Sequence, residues 1–172
     1  MRRTTAGLSE VAHLYDAVLL DQYGVLHDGR ADLPEAVEAV ARLRESGRRL
    51  AVVSNSGRRA APNLARLVRL GFPVDAFDAV MTSGEACHGR LSEDVASGRL
   101  PAGSRVLVVA SAPGAEALAG LPLEAAARGE EAALVLIAGR DPVARSLTED
   151  AARLLPLARR KVACICSNPD ET

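Results

Sequence analysis

Four apolar residues, Ala17–Leu20, run directly into Asp21, and Gly24 follows three positions later. Apolar runs of this length are typical of strands that are buried on both faces, as in a parallel sheet. A carboxylate is costly to bury without partners, and open α/β sheets bind their ligands where the strands end. Asp21 by itself could equally be a loop-capping residue, but the residues that follow favour a functional role.

Strands and helices alternate along the chain. We predict strands at residues 17–20, 49–53, 79–81, 105–110, 133–138 and 162–165, and helices at residues 34–46, 61–70, 87–91 and about 144–160. This order predicts an α/β fold with a doubly wound, parallel, Rossmann-like sheet. Residues 93–102 are rich in Ser, Gly, Pro and charge, which predicts a linker between residues 1–92 and a second α/β unit at residues 103–172.

Composition excludes several classes of partner. The net charge is −1 and aromatic residues make up 2% of the chain, so neither a basic nucleic-acid surface nor a stacking platform is expected. No apolar run approaches the length of a membrane span, and the N-terminus lacks the apolar region of a signal peptide. The three cysteines are too few for a disulfide framework, and we expect them to be core residues of a cytoplasmic protein.

Polar residues follow the first two predicted strands at what should be one edge of the sheet. Asp21 ends the first strand, and Ser54, Asn55 and Ser56 end the second. A carboxylate can attack an electrophile covalently, and hydroxyl and amide groups at a helix start can hold an oxyanion such as phosphate. Because a carboxylate repels phosphate, such a site requires a divalent cation.

These motifs resemble the haloacid dehalogenase superfamily of hydrolases, and several further segments resemble its class IIA branch, which inserts an α/β cap into the core. The segments are Asp21–Leu26, Val52–Ser56, Gly7–Glu10, Asn55–Arg58, Thr82–Ala86 and Ser167–Asp170. The resemblance implies that Asp21 is the nucleophile and a Mg²⁺ ligand, and that the Tyr23 carbonyl is a second ligand. It also implies that Ser54, Asn55 and Arg58 bind phosphate.

Two features depart from the family pattern. Its phosphatases usually carry a second aspartate two residues after the nucleophile, where this chain has Tyr23. A phenol is a poorer proton donor at neutral pH than a carboxylic acid, and tyrosine there resembles the dehalogenases, whose halide leaving group needs no proton. The family also places a lysine and an acidic metal motif beyond the cap, and neither Lys161 nor Asp170 matches them.

The resemblance therefore predicts a Mg²⁺-dependent phosphatase that acts on a small phosphorylated metabolite through an aspartyl-phosphate intermediate. We expect the 172-residue chain to have little or no activity, and the first strand to be an exposed edge that promotes homo-oligomers or strand swapping. A dehalogenase-type hydrolase and a non-catalytic ligand-binding protein of the same fold are the alternatives. We expect His27 to be a solvated loop residue and Glu85 only to favour a helix dipole.

Overall fold

The computed structural model describes residues 7–110, 114–139 and 146–168. Contacts divide the chain into two compact units. The first comprises residues 7–54 and 61–81, and the second comprises residues 55–60 together with the described residues from 82 onward. The division stated above, with a core part at 1–92, a linker at 93–102 and a cap at 103–172, stays a prediction.

The first unit alternates helices and strands as the sequence predicts. A short helix α1 and a 3₁₀ turn precede the first strand, and two longer helices separate the three strands. In chain order the elements are α1 (Leu8–Val11), a 3₁₀ turn (Ala12–Leu14), β1 (Ala17–Leu20), α2 (Ala36–Glu45), β2 (Arg49–Ser54), α3 (Ala60–Arg69) and β3 (Ala79–Thr82).

The strands of this unit form one sheet in the order β1-β2-β3. β1 and β2 are parallel, with Ala17 opposite Arg49 and Leu20 opposite Val52. One face of the sheet is buried together with α2 and α3, where Leu50, Val52 and Leu67 are fully buried. The opposite face is open among the described residues, and Leu19 is 72% exposed.

The second unit begins with the longest helix of the described chain. Its elements are α4 (Ser83–Ala96), β4 (Arg105–Val109), a 3₁₀ turn (Gly114–Leu118), β5 (Glu124–Ala125), a 3₁₀ turn (Gly129–Glu131), β6 (Leu134–Ile137), α5 (Leu147–Arg159) and β7 (Ala163–Cys166). The strands form a four-stranded sheet in the order β5-β4-β6-β7, and each neighbouring pair is parallel. The predicted parallel α/β class is therefore confirmed.

Both faces of this second sheet are covered. On one side Leu91 of α4 packs with Val106 and Leu136, and on the other Leu157 of α5 packs with Leu107 and Val135. Since neither face of β4 or β6 meets solvent, both strands consist of nearly continuous apolar residues. α5 begins with a capping box, in which Ser146 accepts from the amide of Glu149 while the Glu149 carboxylate accepts from the amide of Ser146.

Two local expectations are wrong, and a third is not tested. α2 begins at Ala36 rather than Pro34, because Glu35 adopts a left-handed conformation with φ of 64°. The helix predicted at residues 87–91 is α4, which runs from Ser83 to Ala96 and so includes the first residues of the predicted linker. The start predicted for α5 near residue 144 lies outside the described residues.

The cysteines also differ from expectation. Cys87 is buried in the core of the second unit, where burial raises the pKa of its thiol, but Cys164 and Cys166 are exposed. β7 is the edge strand of its sheet among the described residues, so fewer neighbours cover its side chains. The two cysteines are two positions apart on this strand and therefore lie on the same face of it.

None of the helices in the described part of the chain is both long enough and apolar enough to cross a membrane.

Asp78 ties the start of β3 to β2 in the first unit. Its carboxylate accepts the Leu50 amide at 2.7 Å and the guanidinium of Arg44 at 2.9 Å, and these contacts lower its pKa, with the Leu50 amide contributing most. A lowered pKa means that this stabilisation is present above the ordinary aspartate value and is lost as the pH falls through the folded-state value.

We therefore expect Asp78→Asn to lower the melting temperature at pH 7. The difference from the wild type should narrow as the pH falls below about 4, since the unfolded wild-type chain then takes up a proton on Asp78 that the folded chain does not. Thermal melts followed by circular dichroism from pH 7 to pH 2.5 measure this. The matched control is Asp75→Asn on the same loop, where the carboxylate is exposed; an equal effect of both changes at pH 7 would contradict the assignment.

Candidate active site

Asp21 follows the last residue of β1, and its side chain is exposed. The Oδ1 atom accepts a hydrogen bond from the amide of Gln22 at 2.7 Å, which fixes the orientation of the carboxylate relative to the strand end. Exposure and a fixed orientation are both requirements of a nucleophile that must reach a substrate.

The loop after Asp21 is closed by hydrogen bonds to the carbonyl of Gln22. The oxygen of Gln22 accepts the amides of Leu26 at 2.8 Å and His27 at 3.1 Å, and the amide of Gly24 donates to the His27 carbonyl at 2.9 Å. Gly24 has φ of 78°, a left-handed conformation that glycine adopts without steric cost. Tyr23 lies in this turn and is 70% exposed, and its ring packs edge-on to that of His27.

His27 is buried, with 3% exposure, so the expectation of a solvated histidine is wrong. Its Nδ1 accepts the amide of Gly29 at 3.0 Å, and burial, followed by the nearby charge of Arg66, lowers its pKa. The ring is therefore neutral at pH 7 with its proton on Nε2. Gln22 is equally buried, and the Nε2 atoms of both side chains find no hydrogen-bond partner among the described residues.

Ser54 is the last residue of β2 and lies at the same edge of the sheet as Asp21. The register that sets Leu20 opposite Val52 places the ends of the two strands side by side. The structure thus brings together, within the first unit, a carboxylate and a hydroxyl that the sequence predicts to act on one phosphoryl group.

The predicted phosphate-binding residues that follow Ser54 belong to the second unit. Asn55 and Arg58 lie on the loop Asn55–Ala60, and both are exposed. The main chain of this loop is held by the start of α4: the amide of Gly84 donates to the Ser56 carbonyl at 3.0 Å, and the Thr82 hydroxyl donates to the Arg58 carbonyl at 2.6 Å.

Glu85 makes direct contacts with the loop in addition to the favourable interaction with the helix dipole that the sequence predicts. Its carboxylate accepts from Nε and Nη2 of Arg59 at 2.8 and 2.9 Å and from the amide of Ala60 at 2.9 Å. These donors, Arg59 first, lower the pKa of Glu85 to about 2. The contact joins residues 26 positions apart, and no local pattern in the sequence indicates it.

The chain offers hard oxygen donors at the predicted metal position. A carboxylate, from Asp21, and a main-chain carbonyl, from Tyr23, are ligands that Mg²⁺ prefers. Among the described residues, no group of three or more His, Cys, Asp and Glu side chains could hold a metal ion. The two predicted ligands fit Mg²⁺ in type, and their role as ligands stays a prediction.

The chain matches a protein family and several individual proteins. The family model described as haloacid dehalogenase-like hydrolase matches residues 18–124. Mouse chronophin is 32% identical over 160 residues, which are 92% of this chain and 51% of chronophin. D-glycerol 3-phosphate phosphatase of Mycobacterium tuberculosis is 33% identical over 112 residues, which are 65% of this chain and 28% of that protein. The chain thus spans about half the length of chronophin, and less of the second relative.

Solved structures agree with this match. A haloacid dehalogenase-like hydrolase from Brucella suis superimposes with a TM-score of 0.80 and 28% identity, over 97% of this chain and 61% of the other. Glycerol phosphate phosphatase from M. tuberculosis, solved with magnesium, gives a TM-score of 0.67 and 25% identity, over 93% and 46%. The family match covers more than half of the chain, including both Asp21 and Ser54, and on this ground the chain belongs to the haloacid dehalogenase-like hydrolases.

Proposed function

We propose that this chain carries the nucleophile, metal-binding and phosphate-binding residues of a Mg²⁺-dependent phosphatase that acts on a small phosphorylated metabolite. The observation that supports the proposal most is the placement of Asp21 and Ser54 at the ends of two paired parallel strands. The similarity to a glycerol 3-phosphate phosphatase and to chronophin supports the same reaction class.

In the proposed reaction a carboxylate oxygen of Asp21 attacks phosphorus, and the bond from phosphorus to the ester oxygen breaks. The departing alkoxide takes up a proton from water. Water then attacks the phosphorus of the aspartyl phosphate, the bond to Asp21 breaks, and inorganic phosphate leaves while the carboxylate is regenerated. Two displacements thereby replace one difficult hydrolysis.

Phosphate binding is assigned to the residues after β2. The hydroxyl of Ser54, the amide of Asn55 and the guanidinium of Arg58 offer three kinds of donor to phosphoryl oxygens, and Arg58 adds the positive charge that a phosphate ester requires. Mg²⁺, held by Asp21 and the Tyr23 carbonyl, would supply further positive charge against the phosphate. In this proposal residues 1–92 form part of the core and residues 103–172 a cap, and the protein acts in the cytoplasm.

The first test concerns the metal. We expect Asp21→Asn to weaken Mg²⁺ binding by the 172-residue chain about tenfold or more, because the variant loses an anionic ligand. Isothermal titration of Mg²⁺ measures the affinity. The control is Asp32→Asn, which removes an exposed carboxylate from the same connection between β1 and α2.

Unchanged Mg²⁺ affinity in Asp21→Asn would contradict the proposed ligand. Hydrolysis of p-nitrophenyl phosphate is measured on the same samples. Turnover by the wild-type chain above the Asp21→Asn background would contradict the expectation that the 172-residue chain has little or no activity.

A dehalogenase-type displacement is the second candidate, because Tyr23 stands where a phosphatase usually has its proton donor. In that reaction an oxygen of Asp21 attacks carbon, the carbon–halogen bond breaks, and halide leaves without a proton. We expect no such ester on Asp21 after incubation with chloroacetate, as measured by mass spectrometry of the peptide that contains residue 21. An adduct on the wild type that is absent from Asp21→Asn would favour the dehalogenase.

The open sheet of the first unit predicts self-association. β1 has a partner on one side only among the described residues, and Leu19 at its centre is largely exposed. Such an edge pairs readily with another strand. We expect the 172-residue chain to form homo-oligomers or strand-swapped dimers, and Leu19→Lys to reduce them.

Size-exclusion chromatography with light scattering measures the oligomeric state. Leu155→Lys on α5 is the matched control, because Leu155 is also exposed, at 53%, but lies in the second unit. A wild-type chain that stays monomeric at high concentration would contradict the prediction.

A further inference from the structure

We propose that Glu85 is a positioning residue, which fixes the loop Asn55–Ala60 so that Asn55 and Arg58 are presented to a phosphoryl group. The inference deepens the proposed function and rests on it for the phosphate-binding role of the loop. The contacts of Glu85 with the loop stand independently of that role.

The carboxylate of Glu85 holds the loop where it enters α3. It makes two parallel hydrogen bonds to the guanidinium of Arg59 and a third to the amide of Ala60, the first residue of α3. Both side chains of the ion pair are mostly buried, with 26% and 30% exposure. Two-point geometry and partial burial make this pair stronger and more directional than a surface ion pair.

The neighbours of Glu85 hold the rest of the loop. Thr82 and Gly84 bind the carbonyls of Arg58 and Ser56. The start of α4 thus makes hydrogen bonds to four residues of the loop: Ser56, Arg58, Arg59 and Ala60. The Thr82 hydroxyl also accepts the main-chain amide of Glu85, which caps the first turn of α4. The start of α4 therefore contacts the loop through both its main chain and its side chains.

The loop approaches other main chains closely at two glycines. A Cβ atom at Gly84 would lie 2.3 Å from the Gly57 carbonyl oxygen, and one at Gly57 would lie 2.5 Å from the Ala138 carbonyl oxygen. The loop is therefore packed between the start of α4 and the residue that follows β6. Glycine at both positions allows the hydrogen bonds described above to form.

These contacts do not cover the side chains of Asn55 and Arg58. Thr82, Gly84 and Glu85 bind main-chain atoms and Arg59, whereas Asn55 and Arg58 are exposed. Arg59 and His88 are the charged or titratable groups that act on Glu85, and both lower its pKa. Glu85 consequently stays ionised at every pH at which a phosphatase of this kind would operate.

The first experiment measures the loop itself by amide hydrogen exchange, resolved by NMR on the 172-residue chain. We expect Glu85→Gln to accelerate exchange of the Ala60 amide on the order of tenfold, since the neutral side chain loses its ion pair. Amides of α5 should be unaffected. Glu93→Gln, an exposed position on the same helix, is the matched control and should change nothing.

A double-mutant cycle assigns the effect to the ion pair. Arg59→Gln should accelerate loop exchange as Glu85→Gln does, and the double variant should be no faster than either single variant. Additive effects would overturn the assignment. Equal acceleration in the loop and in α5 would also overturn it, because Glu85 would then stabilise the whole unit rather than position the loop.

The second experiment measures binding of inorganic phosphate, at a fixed Mg²⁺ concentration, from NMR shifts of the Asn55 and Arg58 amides. We expect about fivefold weaker binding in Glu85→Gln and wild-type binding in Glu93→Gln. Faster loop exchange with unchanged phosphate affinity would overturn the positioning role. A wild-type chain that binds no phosphate would instead overturn the phosphate-binding role of the loop, while the exchange experiment still decides whether Glu85 fixes it.

Discussion

Four residues of β1 pair in parallel with four of β2, and the candidate site depends on this pairing more than on any single side chain. Because the strands run in one direction, Asp21 and Ser54 leave the sheet at the same edge. An antiparallel pair would have put them at opposite ends. The apolar residues beneath, among them Leu50 and Val52, are fully buried, so the register cannot slip without exposing them.

The loop that continues from Ser54 is stabilised in a different way. The strands and helices of the first unit are held by apolar burial, whereas Asn55–Ala60 is held by hydrogen bonds to Thr82, Gly84 and Glu85. Directional bonds suit a segment whose side chains must meet a ligand, because they fix the main chain without covering those side chains. Apolar burial thus supports the strand that ends before Asp21, and hydrogen bonds support the loop that follows Ser54.

Burial beside Asp21 has a chemical consequence as well. Gln22 and His27 are both buried within the turn after Asp21, and His27 is neutral. A neutral imidazole adds no positive charge there, and the proposed function assigns that charge to a bound metal ion and to Arg58. This agrees with the donor types that Asp21 and the Tyr23 carbonyl offer to Mg²⁺.

Local patterns in the sequence were sufficient for every described strand except β5, and for the positions of Asp21 and Ser54 at the ends of two strands. Apolar runs, glycine stops and the polar residues that end each run act over a few neighbours, so β1 and the class of the fold could be predicted from them. They failed where distant residues meet. The burial of His27, the exposure of Cys164 and Cys166, the two-residue strand β5 and the contact of Glu85 with Arg59 all depend on which elements pack together. That packing is the sum of many weak contacts between residues far apart in the chain, and no short stretch of sequence contains it.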